Sequence, residues 1–343
     1  MSNDFQERLT WAAERLDKLR EAIGSVLVGQ REVVDQVLTA LLAGGHVLLE
    51  GAPGLGKTLL VKTLASGVDL GFSRIQFTPD LMPSDVIGTN VLVEQPGGGR
   101  AFALHKGPIF GSVVLADEIN RATPKTQSAL LEAMQEAAVT IAGQRHSLGQ
   151  PFFVLATENP IEQEGTYPLP EAQLDRFLLK VLVPDPGEED LVTVLMRTTG
   201  HEQKAPTSVL TKDDILSLRS LCRDITVTEQ VVRYAARLVK CSSPAHAESP
   251  ALVKRAIKFG AGVRAAQSLV LGAKATALMS GRPHISFKDI VTVAKPALRH
   301  RLIRSFEGEA DGVTTDAVID ALLEALPPRP VHVEQALAEA RAK

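Results

Sequence analysis

Five short apolar runs, each suited to a buried strand, recur between residues 46 and 183 of the chain. They are His46–Glu50, Ser73–Phe77, Ser112–Ala116, Phe152–Ala156 and Phe177–Val183. Helical patterns separate several of these runs. Strands that are apolar throughout and alternate with helices indicate a parallel sheet covered by helices on both faces. The pattern therefore predicts an α/β domain, and in such domains ligands lie beyond the carboxyl ends of the strands.

Two hairpins are predicted to interrupt this alternation, because β-compatible segments flank turns that contain glycine. The first pairs 89–94 with 101–105 across the turn Pro96–Gly99, and the second pairs 139–142 with 144–148 across Gly143. Insertions of this kind are often functional loops, and hairpins that only decorate the surface are nearly as common. The residues alone leave both interpretations open.

Beyond Pro184–Gly187, a proline and glycine cluster typical of linkers, only helical periodicity remains. Thr211 with Asp214 and Ser286 with Asp289 have the spacing of capping signals at helix starts. The predicted helices cover about 188–199, 213–222, 229–241, 251–260, 263–280, 287–299 and 314–325.

A length of 343 residues is suited to about two domains, each with its own core. We place the first over residues 1–187, including an N-terminal helix and both hairpins, and the second over residues 188–343. Hydrophobic residues make up 45% of the chain and charged residues 22%, as is usual for soluble globular proteins. The net charge of −3 lacks the basic excess of most nucleic-acid-binding proteins, so a nucleic-acid partner is disfavoured.

Targeting and redox signals are few. The two cysteines, Cys222 and Cys241, give no disulfide framework and favour a reducing compartment. The first ten residues are polar and lack the apolar core of a signal peptide. No uninterrupted apolar run has membrane-spanning length, so no membrane insertion is expected. We therefore expect a cytoplasmic protein. His46 is an isolated histidine without metal-ligand spacing, so no zinc site is predicted around it.

Residues 51–58 read GAPGLGKT, the spacing of a phosphate-binding loop, between a predicted strand and a predicted helix. Three glycines without Cβ atoms let backbone N–H groups approach phosphate oxygens. Lys57 adds a point charge for the β- and γ-phosphates, and Thr58 offers a hydroxyl to Mg²⁺. A chance glycine-rich turn is disfavoured, because strand, loop and helix all agree. We predict that this stretch binds a nucleoside triphosphate through Gly51, Pro53, Gly54, Leu55, Gly56, Lys57, Thr58 and Leu59.

Two carboxylates follow the apolar run that ends at Ala116. Asp117, at the carboxyl end of its strand, is predicted to lie beside the phosphate loop and to hold Mg²⁺ directly or through water. Glu118 is placed to orient and deprotonate the water that attacks the γ-phosphate. Asn159 follows the next strand and is suited to contact that water or the γ-phosphate. A turn-forming role for Asn159 before Pro160 is equally plausible from the local sequence.

Several motifs occur together in a recognisable order: GAPGLGKT, VVLADEIN, ATENP and LPEAQLDRF, with LMPSDVIGT at Leu81–Thr89. In this combination the chain resembles the MoxR family of AAA+ ATPases. The likeness runs from Val28 through the helical domain, and no motif position departs from the family pattern. It implies a P-loop NTPase core, with a five-stranded parallel sheet between helices, followed by a C-terminal all-α lid domain.

The resemblance also implies residue roles. Lys57 and Thr58 match the Walker A lysine and the magnesium-binding threonine, while Asp117 and Glu118 match the Walker B pair. Asn159 matches the first sensor, which favours its functional interpretation.

Two arginines and the segment before the first strand complete the implied site. Arg176 matches an arginine finger that acts in a neighbouring subunit, and Arg264 matches a second sensor carried by the lid. From local sequence alone, each arginine would sooner be a surface ion pair or a helix-start residue. Val28, Gly29 and Gln30 are implied to contact the nucleotide.

By this resemblance the chain is an ATP hydrolase that uses ATP and Mg²⁺ at the interfaces of a homo-oligomer, usually a hexameric ring. Such proteins remodel or mature client proteins, or help metal centres assemble, with a partner that carries a von Willebrand factor A domain. No such domain is present in the sequence, so the partner is expected to be a separate polypeptide. The alternatives are a nucleic-acid-stimulated, helicase-like motor, which salt-sensitive DNA stimulation would favour, and a nucleotide-gated scaffold.

Overall fold

The computed structural model describes residues 3–94, 99–160, 165–199 and 208–328. Contacts between Cα atoms group the chain into two compact units. One is Glu14–Ser220, which we call the core unit. The other combines the described residues of Met1–Ala13 and Leu221–Lys343, and we call it the lid unit. The domain boundary predicted between residues 187 and 188 stays a prediction.

The first part of the chain alternates helices and strands. In chain order these are α1 Asn3–Gly24, α2 Arg31–Ala43, β1 Val47–Glu50, α3 Lys57–Gly67, β2 Phe72–Gln76, α4 Pro83–Ile87, β3 Gly88–Glu94, β4 Arg100–Lys106, β5 Val113–Asp117, α5 Pro124–Glu136, β6 Ala138–Ile141, β7 Gln144–Ser147, β8 Phe153–Glu158, α6 Glu171–Leu174, β9 Leu179–Leu182 and α7 Glu188–Thr198. Short 3-10 turns lie at Pro108–Phe110 and Ile119–Arg121.

Five strands form one parallel sheet in the order β2-β5-β8-β1-β9, which confirms the predicted α/β fold. The central strands are buried on both faces; β5, for example, is buried at all five positions. On one face, Leu48, Val114 and Val154 pack into a core with Leu130 and Met134 of α5. The five apolar runs predicted these strands because the strands of a covered parallel sheet are mostly apolar on both faces. The carboxyl ends of all five strands therefore lie at one edge, where the chemistry is expected.

Both predicted hairpins form. Strands β3 and β4 pair antiparallel from Gly88 opposite Lys106 to Glu94 opposite Arg100. Strands β6 and β7 pair likewise, and their turn places Ala142 and Gly143 at φ 48° and 79°. Two successive positive φ angles match the right-handed twist of a hairpin, which explains the glycine. The predicted turn Pro96–Gly99 lies, except for Gly99, outside the described residues.

The remaining segments are mostly helical, which agrees with the predicted all-α lid. They are α8 Lys212–Asp224, α9 Glu229–Cys241, α10 Ala251–Ala256, β10 Ile257–Phe259, α11 Val263–Met279, α12 Phe287–Leu298, β11 Ile303–Arg304, α13 Phe306–Ala310 and α14 Thr315–Ala325. Among the described residues, no helix combines the length and the apolar composition needed to cross a membrane.

One predicted helix is too long. The stretch 251–260 was expected to be helical throughout, but α10 ends at Ala256 and the chain continues as β10, antiparallel to β11. The early end of α10 is explained by a close approach between the backbone at Gly260 and the backbone at Ser243. A Cβ atom on Gly260 would lie 2.5 Å from the backbone nitrogen of Ser243, so the chain must pass Ser243 at a distance that only glycine allows.

Candidate nucleotide site

The phosphate loop connects β1 to α3. Gly54 and Gly56 have φ angles of 85° and 78°, in the left-handed region that glycine adopts without strain. Gly56 is the residue before α3, so the first N–H groups of the helix, which have no partners within the helix, point out of its amino end. The positive end of the helix dipole points the same way. The loop and the helix start together form a site suited to an anion such as a phosphate group.

Lys57 begins α3, and its ammonium group lies beneath the loop. Its Nζ donates to the carbonyl oxygen of Gly51 at 2.5 Å and lies 3.5 Å from that of Glu158. Partial burial lowers the pKa of Lys57, while the carboxylates of Asp117, Glu118 and Glu50 act in the opposite direction. Because the hydrogen bonds of Lys57 to described residues go to neutral carbonyl oxygens, its ammonium is available to a charged phosphate, which binds it more strongly.

The two predicted carboxylates lie at the end of β5. Asp117 is buried, and its Oδ1 accepts a hydrogen bond from the Thr157 hydroxyl at 2.7 Å. The backbone N–H of Glu118 donates to the same hydroxyl oxygen at 2.8 Å. Glu118 has a left-handed backbone, with φ 57° and ψ 51°. This conformation is uncommon for a residue other than glycine and marks a strained position.

Two side chains of the neighbouring strand β2 hold this carboxylate pair. Arg74 donates to Asp117 Oδ2 through Nη2 at 2.6 Å and through Nε at 3.1 Å, and its Nη2 also contacts Gln76 at 2.6 Å. Gln76 in turn donates to Glu118 Oε2 at 3.1 Å. Arg121 reaches the same oxygen at 2.9 Å. Both carboxylates are therefore fixed by one connected network.

One cavity of about 370 Å³ brings together most of the predicted phosphate-binding residues, both carboxylates and Asn159, while Gly51 and Leu55 do not line it. Its lining residues are Pro53, Gly54, Gly56, Lys57, Thr58, Leu59, Asp117, Glu118, Thr157 and Asn159. Asn159 is 5% exposed, so its side chain lies inside the site rather than on a solvent-facing turn. Thr58 and Asp117 bring a hydroxyl and a carboxylate oxygen to the same space. Hard oxygen donors of this kind suit Mg²⁺ beside a triphosphate, so the residues fit the metal that the motif implies.

The segment before α2 is linked to the loop. Gln30 donates through Nε2 to the carbonyl oxygen of Leu55 at 2.9 Å. Val28 and Gly29 line a second cavity of the core unit, of about 690 Å³. Gly29 has φ 71°, and a Cβ atom there would lie 2.1 Å from a carboxylate oxygen of Asp190. The left-handed backbone angle therefore favours glycine at this position, where a Cβ atom would also require the Asp190 side chain to move.

The two predicted arginines do not line the phosphate cavity. Arg176 follows α6, and its N–H donates to Gln173 in a tight turn before β9. Arg264 is the second residue of α11 and belongs to the lid unit. The roles of both arginines stay predictions.

Sequence reasoning missed Thr157, Arg74 and Gln76. Arg74 and Gln76 alternate along β2, which places them on one face of the strand, and Gln76 lies opposite Asp117 in the sheet. Only the pairing of β2 with β5 brings these side chains together. The signal in the sequence was the pair of polar side chains at alternate positions of the run Ser73–Phe77.

Comparisons with known protein families match two segments of the chain. Residues 46–179 match the model described as "ATPase family associated with various cellular activities (AAA)". Residues 250–329 match a model described as an AAA lid domain.

Relatives match over most of the chain. Chaperone MoxR1 of Mycobacterium tuberculosis is 41% identical over 320 residues, which cover 93% of this chain and 83% of that protein. The uncharacterised protein YeaC of Bacillus subtilis is 40% identical over 91% of this chain and 94% of its own length. A crystal structure presented as that of a candidate ATPase from Cytophaga hutchinsonii superposes with a TM-score of 0.87. It is 39% identical and is aligned over 94% of this chain and 98% of its own.

Proposed function

Because this chain belongs to the MoxR family of AAA+ ATPases, we propose that it hydrolyses ATP at the interfaces of a subunit ring to remodel or mature partner proteins. The chain is an ATP hydrolase by family. The single observation that supports the assignment of its site is the cavity in which the phosphate loop, both carboxylates and Asn159 converge.

Binding comes first. The N–H groups of the loop and of the α3 start receive the phosphate oxygens, and Lys57 exchanges its carbonyl contacts for the β- and γ-phosphates. Thr58 and Asp117 are the residues that would hold Mg²⁺. When bound, the ion neutralises charge on the β- and γ-phosphate oxygens and so favours attack on the γ-phosphorus.

In the chemical step, Glu118 takes a proton from a water molecule as the water oxygen attacks the γ-phosphorus. The bond between the γ-phosphorus and the oxygen bridging to the β-phosphate breaks, which gives ADP and inorganic phosphate. Asn159 orients the water or the γ-phosphate. The hydrogen bonds from Gln76 and Arg121 hold Glu118 in place, and Thr157 fixes the backbone next to it.

Two arginines from outside this cavity complete the proposed site. Arg176 of a neighbouring subunit stabilises the charge that develops on the transferred phosphoryl group. Arg264 of the lid senses the same phosphates. If Arg176 acts in the next subunit, the subunits pack head to tail, and a closed ring, most simply a hexamer, follows.

The proposed output is mechanical work on protein clients, including the insertion of metal centres. A relative that is 41% identical bears the name chaperone, which supports a protein client over a nucleic acid. The net charge of −3 supports the same choice. We propose a separate partner with a von Willebrand factor A domain and a cytoplasmic location. Two buried, free cysteines are compatible with that compartment.

Replacing Glu118 with Gln tests this proposal. The variant should bind ATP with wild-type affinity, because the amide keeps the size of the side chain, but turnover should fall by at least about a hundredfold since the proton acceptor is gone. It should also retain client proteins during purification in the presence of ATP. The matched control is Glu132→Gln, on an exposed position of α5, with normal turnover. Near-normal turnover of Glu118→Gln would remove Glu118 as the base.

A further inference from the structure

Three charged side chains that the proposed chemistry does not use lie near the base of the phosphate loop. Glu50 and Glu158 are the last residues of β1 and β8, and Lys180 belongs to β9. Strand β1 lies between the other two strands, with Glu50 opposite Glu158. Lys180 lies opposite Leu48, two residues before Glu50. Because side chains alternate along strands, all three project from the same face of the sheet.

Lys180 faces both carboxylates. Its Nζ lies 2.5 Å from Oε2 of Glu50, and the two side chains are 19% and 27% exposed. Burial raises the pKa of Glu158, an effect that Lys180 opposes and the charge of Glu50 reinforces. Two neighbouring carboxylates at a partly buried strand end repel each other unless a cation compensates them. Lys180 is that cation.

Lys57 contacts the backbone at the carboxyl ends of the same two strands, β1 and β8. Its ammonium contacts the carbonyl oxygen of Gly51, next to Glu50, and approaches the carbonyl oxygen of Glu158. Burial lowers the pKa of Lys57, and the charge of Glu50 opposes this effect, though less than the charges of Asp117 and Glu118 do. A carboxylate binds an ammonium more strongly than a carbonyl oxygen does. An uncompensated Glu50 would therefore compete with the nucleotide phosphates for Lys57.

We propose that Lys180 is a positioning residue for Lys57: it occupies Glu50 and faces Glu158, which leaves the Lys57 ammonium free for the phosphates. The inference rests on the proposed function, because it requires that a nucleotide phosphate meets Lys57. It assigns a role in positioning Lys57 to the ion pair between Glu50 of β1 and Lys180 of β9, which in this proposal does not contact the nucleotide.

A double-mutant cycle on the full chain tests this role, with the dissociation constant of ATP as the readout. Lys180→Met keeps an apolar stem without the charge and should weaken ATP binding about tenfold, because Glu50 then competes for Lys57. Glu50→Gln alone should bind ATP at least as tightly as wild type. Combining the two changes should bring the affinity back to within about threefold of wild type, since no carboxylate remains at position 50. Lys180→Arg, unlike Lys180→Met, should bind ATP with nearly wild-type affinity, because its guanidinium can pair with Glu50.

The controls separate a positioning role from a structural one. Lys295→Met removes a lysine that lies 2.8 Å from Asp320 in the lid unit, and it should leave the ATP affinity unchanged. Melting temperatures are measured alongside, since a purely structural Lys180 would lower them without changing the ATP affinity of the folded fraction. Unchanged affinity in Lys180→Met, or a double variant as weak as Lys180→Met, overturns the proposal. Normal ATP binding by Lys57→Ala would instead overturn the proposed function.

Discussion

His46 connects two layers of the core unit through one buried ring. Its Nδ1 accepts a hydrogen bond from the backbone N–H of Val154 at 3.0 Å. The proton therefore lies on Nε2, which donates to the carbonyl oxygen of Met134 at 3.1 Å. The ring also packs edge-on against the Phe152 ring, with 5.6 Å between the two ring centroids. Burial is the main cause that lowers its pKa from 6.5 to about 4, so the neutral ring is part of the fold.

This histidine predicts a loss of stability in weak acid. The unfolded chain binds a proton on His46 near pH 6.5 and the folded chain only near pH 4, so stability is fully present above pH 6.5 and declines as the pH falls towards 4. The decline should reach about 3 kcal/mol. His46→Leu should be less stable at pH 8 by about 1–3 kcal/mol, because two buried backbone groups lose their partner, but its stability should change less between pH 6.5 and 4.

Urea unfolding at pH 8, 6.5, 5 and 4 measures both effects, with His105→Leu, an exposed position on β4, as the control. An equally steep decline in His46→Leu and in wild type would show that other groups cause the acid sensitivity.

Strands and helices were predictable from sequence where one physical signal dominated. The central strands were found because both of their faces are apolar, and the starts of α8 and α12 because their capping residues have a fixed spacing. Strand β10 was missed because a backbone approach near Gly260 overrides the helical pattern. The network of Arg74 and Gln76 was missed because it depends on which strand lies next to β5. The pairing of β2 with β5 forms only in the folded sheet, so no pattern among neighbouring residues of the sequence indicates it.

The two capping boxes provide a comparison at the level of helices. At the start of α12, Asp289 is 3% exposed and accepts hydrogen bonds from the N–H and hydroxyl of Ser286, both at 2.7 Å, and from Arg282 at 2.8 and 2.5 Å. At the start of α8, Asp214 is partly exposed and, within the described part of the chain, accepts only from Thr211, at 2.8 Å through both N–H and hydroxyl.

Asp289→Ala should therefore destabilise the protein by about 3 kcal/mol, because it removes the cap and leaves Arg282 without its buried partner. Asp214→Ala, the matched change, should cost only about 1 kcal/mol. Chemical denaturation of the two variants measures the difference, and equal losses would mean that Arg282 adds nothing to the cap.

For the whole molecule, the proposed ring depends on Arg176. No described residue accepts a hydrogen bond from the buried Nε of Arg176, and the residue does not line the phosphate cavity of its own chain. Its turn leads directly into β9, next to the strand that carries the phosphate loop. The role of Arg176 at a neighbouring subunit stays a proposal.

Mixing two inactive variants tests that role. Arg176→Ala should bind ATP but lose about a thousandfold in turnover, and Lys57→Ala should fail to bind ATP. In a random equimolar mixture, about a quarter of the interfaces combine an intact phosphate loop with an intact arginine from the next subunit, so about a quarter of wild-type activity should return. ATPase measurements at several mixing ratios check this. No recovery at any ratio would contradict action between subunits.

The left-handed backbone of Glu118 lowers the stability of the fold, while its side chain is needed for the proposed hydrolysis. Glycine there would relax the chain at no steric cost and raise the free energy of unfolding by about 1 kcal/mol, while removing the proposed proton acceptor. Screens that select only for heat resistance should therefore enrich substitutions at residue 118 that remove the proposed proton acceptor. Recovering a more robust but inactive ATPase from such a screen would be a natural outcome of this geometry.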